Sequence, residues 1–451
     1  MPPSLLIGID LLTFTTPASG TFLGIHSLPP GWHFLFASST SSVSTREGFW
    51  FYIPTPSEAP ASPLIIRKWH NESGSLQPCE DDAKSKTVVG QLLNDKAKWE
   101  LAVTPYRQTI DPPPWPSLTS HLTVPILRTF TSSSTFNIST TSCAPQDREP
   151  IPGLDNAEID AALGERELTV LGIDLKRTWP EGAVGRERTE AAMDRSWALE
   201  DVERRWWERW RQSTELRREV EAGKEDPTAT EQRVLKNGRV LKAAEPTPGF
   251  GHATLAHLQL SFLMLLTLQN WSCLQEWKRI LGLVLTCKTA VLTHPTFFSK
   301  FLDLLRLQLE RMDDVEGGLF DMLDAFPSFT PSGAGDGIGG GHTGAGGSGG
   351  GGNYLFALLK GFRRTVSELL PDVDREDDTT IKGVCAALDS AETFCTEAYG
   401  WEFLHDGAST QLRSGVFELE DGETVNLDMQ RDVGQEEFEE TGDWAPVVVE
   451  F

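Results

Sequence analysis

The sequence predicts an α+β fold in which a mainly β domain over residues 1–175 precedes an all-α domain over residues 186–402 and an acidic tail over residues 403–451. Three observations predict it. Short β-rich runs recur between turn residues through the first 70 positions, and the apolar period changes to 3.6 after Thr189. Residues 416–443 then carry 11 Asp and Glu against the single Arg431, before the chain reaches Pro446-Val447-Val448-Val449.

The β runs are Leu5 to Ile9, Thr21 to Ile25, Trp32 to Ala37, Phe49 to Ile53 and Leu64 to Trp69, a spacing that suits an antiparallel meander or a sandwich. Pro29-Pro30-Gly31 is a turn by chemistry, since proline presets φ and glycine accepts positive φ. Phe49, Phe51 and Ile53 alternate with Trp50 and Tyr52, as the two faces of a strand should. Residues 111–152 are rich in Pro, Ser and Thr and predict loop with one further helix or strand, and Glu167 to Leu175 is a last strand candidate.

Beyond Thr189, Leu199, Val202, Trp206, Trp210, Leu216 and Val220 fall on one helical stripe. Thr254 to Gln269 is apolar on nearly every side and predicts a buried central helix. Leu274, Trp277, Leu281, Val284, Lys288 and Val291 trace one face of the next. Thr293-His294-Pro295 predicts another start, with Thr293 as cap, running through Phe297, Phe301, Leu305 and Leu309. Of residues 333–352, 13 are glycine, a composition with the most backbone entropy to lose, so a flexible insert is expected there. Helical patterns resume at Tyr354 to Leu370 and Ile381 to Ala398, and a disordered acidic spacer is expected to lead to the strand-prone tip.

Composition limits function. A chain of 451 residues with 39% hydrophobic residues and 14 Trp can pack more than one core, while a net charge of -25 argues against wrapping duplex nucleic acid and favours protein partners. Six cysteines without a CxxC pair predict reduced thiols in the cytosol or nucleus. The N-terminal apolar run is broken at Asp10 and lacks a basic start, so no secretory signal is expected, and Leu255 to Leu268 is too short and too interrupted to span a membrane.

The glycine run contains G-x-G-x-x-G at Gly335 to Gly340 and G-x-S-x-G at Gly346 to Gly350, but neither has the strand and helix its chemistry needs. Nine histidines give no HExxH and no zinc spacing, so no metal, cofactor or catalytic residue is predicted, and an unrecognised hydrolase would need a convergent site. Arg204-Arg205-Trp206-Trp207 mixes cations and aromatics as a single-strand platform does, with Arg204 and Trp207 as the contact residues. Against that, residues 186–245 hold 14 basic and 14 acidic residues, a balanced field that makes direct RNA contact the weaker reading. Val447-Val448-Val449 on an acidic leash suits strand addition to another protein's sheet, and equally suits completing a sheet of its own chain.

Several segments carry a family resemblance: Gly8-Ile9-Asp10; Phe22 to Ile25; Leu28-Pro29-Pro30-Gly31-Trp32-His33-Phe34-Leu35; Gly48 to Phe51; Ile66 to Trp69; Trp179 to Ala183; Met193 to Glu200; Leu258-Gln259 through Glu276 to Leu281; and Ala445 to Glu450. In their order the chain resembles the AAR-two family, assembly factors of the U5 small nuclear ribonucleoprotein (snRNP). The resemblance implies a β-sandwich-like N-terminal domain, a VHS-like helical domain and no enzymatic activity. It also implies a partner, the large U5 scaffold protein. The family engages that scaffold's RNase H-like and Jab/MPN domains, holds off the spliceosomal helicase, and bridges the two domains by strand addition. In this chain the bridging residues would be Val447, Val448 and Val449 beside Pro446, with Trp444 as an anchor. The glycine insert and the long acidic stretch are additions to the family's compact form.

Overall fold

A computed structural model of the chain describes residues 4–16, 22–39, 45–57, 64–70, 74–78, 90, 94, 103–106, 114–131, 136–148, 167–174, 179–222, 249–312, 353–369, 379–403, 416–418 and 424–426. Met1–Glu402 form one compact unit and Phe403–Phe451 a second.

Five strands make the main sheet of the first unit: β1 (Leu5–Ile9), β2 (Leu12–Thr15), β4 (Gly31–Ser39), β5 (Glu47–Ile53) and β9 (Asn137–Ser139), in the order β2-β1-β4-β5-β9 and antiparallel throughout. Side-chain alternation gives it two covered faces. Phe34, Phe36 and Trp50 occupy one, and Trp115 of the short helix α1 (Trp115–Leu118) stacks on Trp50 at 5.8 Å, with α2 (Val124–Phe130) following. On the other, His33 stacks on Phe51, and the Arg67 guanidinium of the hairpin β6 (Arg67–His70) and β7 (Ser75–Pro78) sits 3.9 Å over the Phe49 ring. A parallel pair, β3 (Gly24–His26) and β8 (Val103–Pro105), completes the β region. Among the described residues the β6–β7 hairpin lies against this face, and the strand order of the main sheet is not that of a simple meander.

Two glycines of the resembling segments have a packing cause. A Cβ at Gly8 would lie 2.0 Å from the Phe36 ring, and one at Gly48 2.5 Å from Phe34, so both strands are hollowed to let these rings lie flat on the sheet. Gly31 carries φ of +132°, a conformation that side chains disfavour, where the turn enters β4.

The helical part runs α3 (Arg186–Met193), α4 (Ser196–Ala222), α5 (His252–Leu268), α6 (Trp271–Val284), α7 (Thr289–Thr293), α8 (Pro295–Leu309), α9 (Asn353–Leu369) and α10 (Thr379–Tyr399). The central helix α5 is buried nearly all round, as its apolar composition requires, and α6 packs along it while α8 packs along α10. On α4, Leu199, Val202 and Trp206 are buried and Trp210 is half-buried, whereas the side chains of Leu216 and Val220 lie outside the described residues. No helix among the described residues is long and apolar enough to cross a membrane.

Five expectations are corrected. The second and fifth β runs begin later, at Gly24 and Arg67, and Leu64 and Ile65 are left exposed. Residues 167–174 form no strand. Glu167 makes one bridge to Cys143, and the amides of Leu168, Thr169 and Leu171 donate to Cys143 O, Phe130 O and the Glu276 carboxylate, so a loop, a helix end and a side chain replace the ladder. The stripe from Leu274 to Val291 is two helices, because Asp194 accepts from the amides of Lys288 and Thr289 and caps a new start there. The residue before Pro295 in the cap position of α8 is His294, stacked on Phe250 at 3.6 Å, while Thr293 ends α7. The acidic spacer contains an antiparallel pair, β10 (Val416–Glu418) and β11 (Thr424–Asn426), in the second unit. It uses the few β-prone residues between the acids. The glycine insert at 333–352 lies outside the described residues.

Candidate partner-binding site

Trp444, Pro446, Val447, Val448 and Val449 lie outside the described residues. Arg204 and Trp207 are on α4, and their surroundings define what that helix can offer. The Arg204 guanidinium donates through Nη1 to Glu208 at 3.0 Å and through Nη2 to Asp201 at 2.5 Å, two rungs of a helical i,i+3 and i,i+4 ladder. Its positive charge is thus matched within the helix. Trp207 is half-buried between Trp206 and Trp210, meeting both edge-on at 4.8 and 5.4 Å, so part of its surface is used in this aromatic row. The geometry brings Arg204 and Trp207 onto one helix but leaves no pair of parallel rings between which a base could slide.

The start of α4 is fixed by the segment Met193 to Glu200. Asp194 accepts from Ser196 N–H and Oγ–H and, 94 and 95 positions along, from Lys288 N–H and the Thr289 hydroxyl. Burial alone would raise its pKa, but these donors outweigh it and hold the carboxyl below the usual carboxylate range. Arg195 is buried with its guanidinium over Trp179 at 5.2 Å, and Trp197 donates to Ala191 O. Further along, Glu203 accepts from Thr254 N–H at 2.8 Å and from its hydroxyl at 2.5 Å, tying α4 to the first turn of α5; burial raises its pKa in spite of those bonds.

A polar seam joins the sheet region to the central helices. Asn270 caps α6 through Cys273 N–H and donates from Nδ2 to Ser139 O and Ser142 O, so one side chain closes the end of β9 and starts a helix. Gln259 accepts from His121 N–H and donates to Ser117 O. Thr140 donates to Leu268 O, and Arg46 to Thr267 O. Asp147 accepts from Ser272 and pairs with Arg279, and Glu276 accepts from Leu171 N–H at 2.8 Å.

Beneath this seam His257 and Glu276 are both fully buried, with Nδ1 3.9 Å from Oε1, and neither ring nitrogen of His257 has a hydrogen-bond partner among the described residues. Burial drives their charged states out. The imidazole is pushed down to about 3, with the Arg209 charge adding to the effect, and the carboxyl up to about 7 against the opposing pull of Arg279. Lys278, also buried, lies 5.0 Å over the Tyr354 ring, whose hydroxyl donates to Lys278 O.

Among the described residues no group of three or more His, Cys, Asp or Glu is placed to hold a metal ion. Five cysteines are free thiols whose pKa is raised, chiefly by burial, which is a poor setting for a nucleophile; Cys79 lies outside the described residues.

The sequence reading assigned no structural role to Asn270, Asp147, Gln259 or the His257–Glu276 pair. Asn270 was within reach, since Asn before an apolar helix is cap chemistry. The others meet partners too far away in sequence for any local signal. Two matches to known proteins follow the division between the sheet region and the helices: the AAR2 N-terminal domain over residues 1–132 and the AAR2 C-terminal repeat region over residues 171–404. With both parts matched in order, the chain belongs to the AAR2 family of noncatalytic assembly factors, a membership that supports a role in U5 snRNP assembly and pre-mRNA splicing.

Proposed function

We propose that this chain is a noncatalytic assembly factor that binds the large scaffold protein of the U5 snRNP, through that protein's RNase H-like and Jab/MPN domains, and holds off the helicase that later takes the same surface. The observation that carries the reading is the presence of both AAR2 matches, covering the sheet region and the helices, in one chain. The net charge of -25 supports a protein rather than an RNA partner. Three consecutive β-branched residues behind an acidic stretch support docking by strand addition, with Val447, Val448 and Val449 in the strand and Trp444 as anchor.

Calorimetry with a purified RNase H-like plus Jab/MPN fragment tests this. The full chain binds and a version ending at Gly442 binds more weakly; equal affinity would move the interface to the folded unit, and no binding by either would sink the reading. The competing RNA reading predicts salt-sensitive binding to single-stranded RNA that Arg204→Ala and Trp207→Ala weaken, and the pairing of Arg204 with Asp201 and Glu208 counts against it. We further propose that the protein works in both cytoplasm and nucleus, which fractionation of tagged cells would check.

A further inference from the structure

The two edges of the main sheet are treated differently. At β9 the side-chain amide of Asn270 takes up Ser139 O, and the helical part closes the edge. At β2 nothing among the described residues bonds to the outer side of the strand.

The register shows which groups are open there. Leu6 faces Thr15, Ile7 faces Phe14 and Gly8 faces Thr13, and Thr16 N–H donates to Leu5 O at 2.8 Å. Antiparallel bonding alternates along a strand, so residues 16, 14 and 12 turn their backbone groups to β1, and Thr13 and Thr15 turn theirs outward. Both threonines are exposed. On the opposite face Leu12 and Phe14 are half-buried, with Phe14 meeting the edge of the Phe22 ring at 5.4 Å.

Exposed edges are normally blunted by lysine, proline, a bulge or an inward charge. Leu11 to Thr16 holds no charged residue and no proline, and its register runs without a bulge. A second copy of the chain is a poor occupant, because two bodies of net charge -25 repel at long range. We propose that the outer edge of β2 accepts an extended segment of a protein partner. That segment alternates apolar with small hydroxyl residues, to match Phe14 on one face and Thr13 and Thr15 on the other, and is flanked by Lys or Arg.

The test uses the full chain and a fluorescein-labelled peptide, Lys-Lys-Val-Thr-Val-Thr-Val-Lys-Lys, read by anisotropy and by amide hydrogen exchange. Saturable binding is expected, with slowed exchange at Thr13 and Thr15. Thr13→Pro and Thr15→Pro each remove one outward donor and weaken binding by about tenfold. Should proline disturb the fold, the double variant T13K/T15K keeps every backbone donor, adds charge that repels the peptide, and is expected to weaken it as well. Absence of binding, affinity unchanged in both the proline and lysine variants, or protection confined to other segments would overturn the proposal. So would equal affinity for a peptide with Glu in place of each Lys, or a concentration-dependent dimer that the peptide dissolves.

Discussion

Nδ1 of His33 stands 2.7 Å from Oδ2 of Asp10, and both side chains are almost wholly buried. This contact joins two of the segments that carry the family resemblance. Asp10 sits in the β1–β2 turn at φ of +56°, accepts Phe34 N–H on its other oxygen and receives the Tyr106 hydroxyl at 2.6 Å. The far nitrogen of His33 lies 2.8 Å from Pro29 O. Pro-Pro-Gly-x-His is therefore a turn whose last residue is tied both to its own start and to the neighbouring hairpin. Replacing Asp10 by Ala strands these donors and should cost about 3 to 5 kcal/mol in urea unfolding. Asn tolerates positive φ and should cost clearly less.

The same pair sets a pH dependence. Burial pulls the His33 pKa down, but the hydrogen bond and charge of Asp10 and the Pro29 carbonyl outweigh it, so the folded value stands above 6.5. A raised folded value means that the stabilisation is full below 6.5 and is lost as pH rises through the folded pKa. Stability of the wild type minus that of His33→Gln should shrink across that window, and a flat difference would show that the pair does not titrate.

His257 and Glu276 give two further slopes. With the folded imidazole at about 3 against an ordinary 6.5, its contribution is present above 6.5 and lost as pH falls toward 3. With the folded carboxyl at about 7 against 4.5, stability is lost as pH rises from 4.5 through 7. His257→Leu should flatten the acid limb and cost little at neutral pH, because neither ring nitrogen has a partner to lose. Glu276→Gln keeps an acceptor for Leu171 N–H and should remove the second slope. Thermal melts between about pH 3 and 8, which bracket both folded values, separate the two.

Gly8→Ala should destabilise by about 1 to 3 kcal/mol, since its Cβ meets the Phe36 ring inside van der Waals contact. The double variant with Phe36→Leu should recover part of the loss relative to Phe36→Leu alone. Additive costs would mean that the ring is not what excludes the methyl group.

Asn270→Ala removes a helix cap and two bonds to β9 and its turn, and should cost about 2 to 3 kcal/mol. Asn270→Asp keeps the cap acceptor and loses the Nδ2 donor, so it should fall between Ala and the wild type in chemical unfolding.

What the sequence disclosed follows from how local each cause is. β1 appears at Leu5 to Ile9 as expected, and α5 and α8 nearly so, because their patterns repeat within a few residues. The break before α7 was hidden because the carboxylate that makes it, Asp194, lies 94 positions away from Lys288. Residues 167–174 have strand composition, but Glu276, 105 positions beyond Leu171, takes the amide that a ladder would have used. Of the candidate site, the Arg and Trp content of α4 was plain, while the pairing of Arg204 with Asp201 and Glu208 needed the helix register to be fixed.

The carboxylate of Asp194 serves two helix beginnings, Ser196 on α4 and Thr289 on α7. The acceptor travels with the α4 start, so fraying there takes it from α7 as well, whereas fraying of α7 leaves the bonds to Ser196 in place. The α7 amides should therefore exchange at least as fast as those of the α4 first turn, and loosening the Asp194 segment should speed exchange in both.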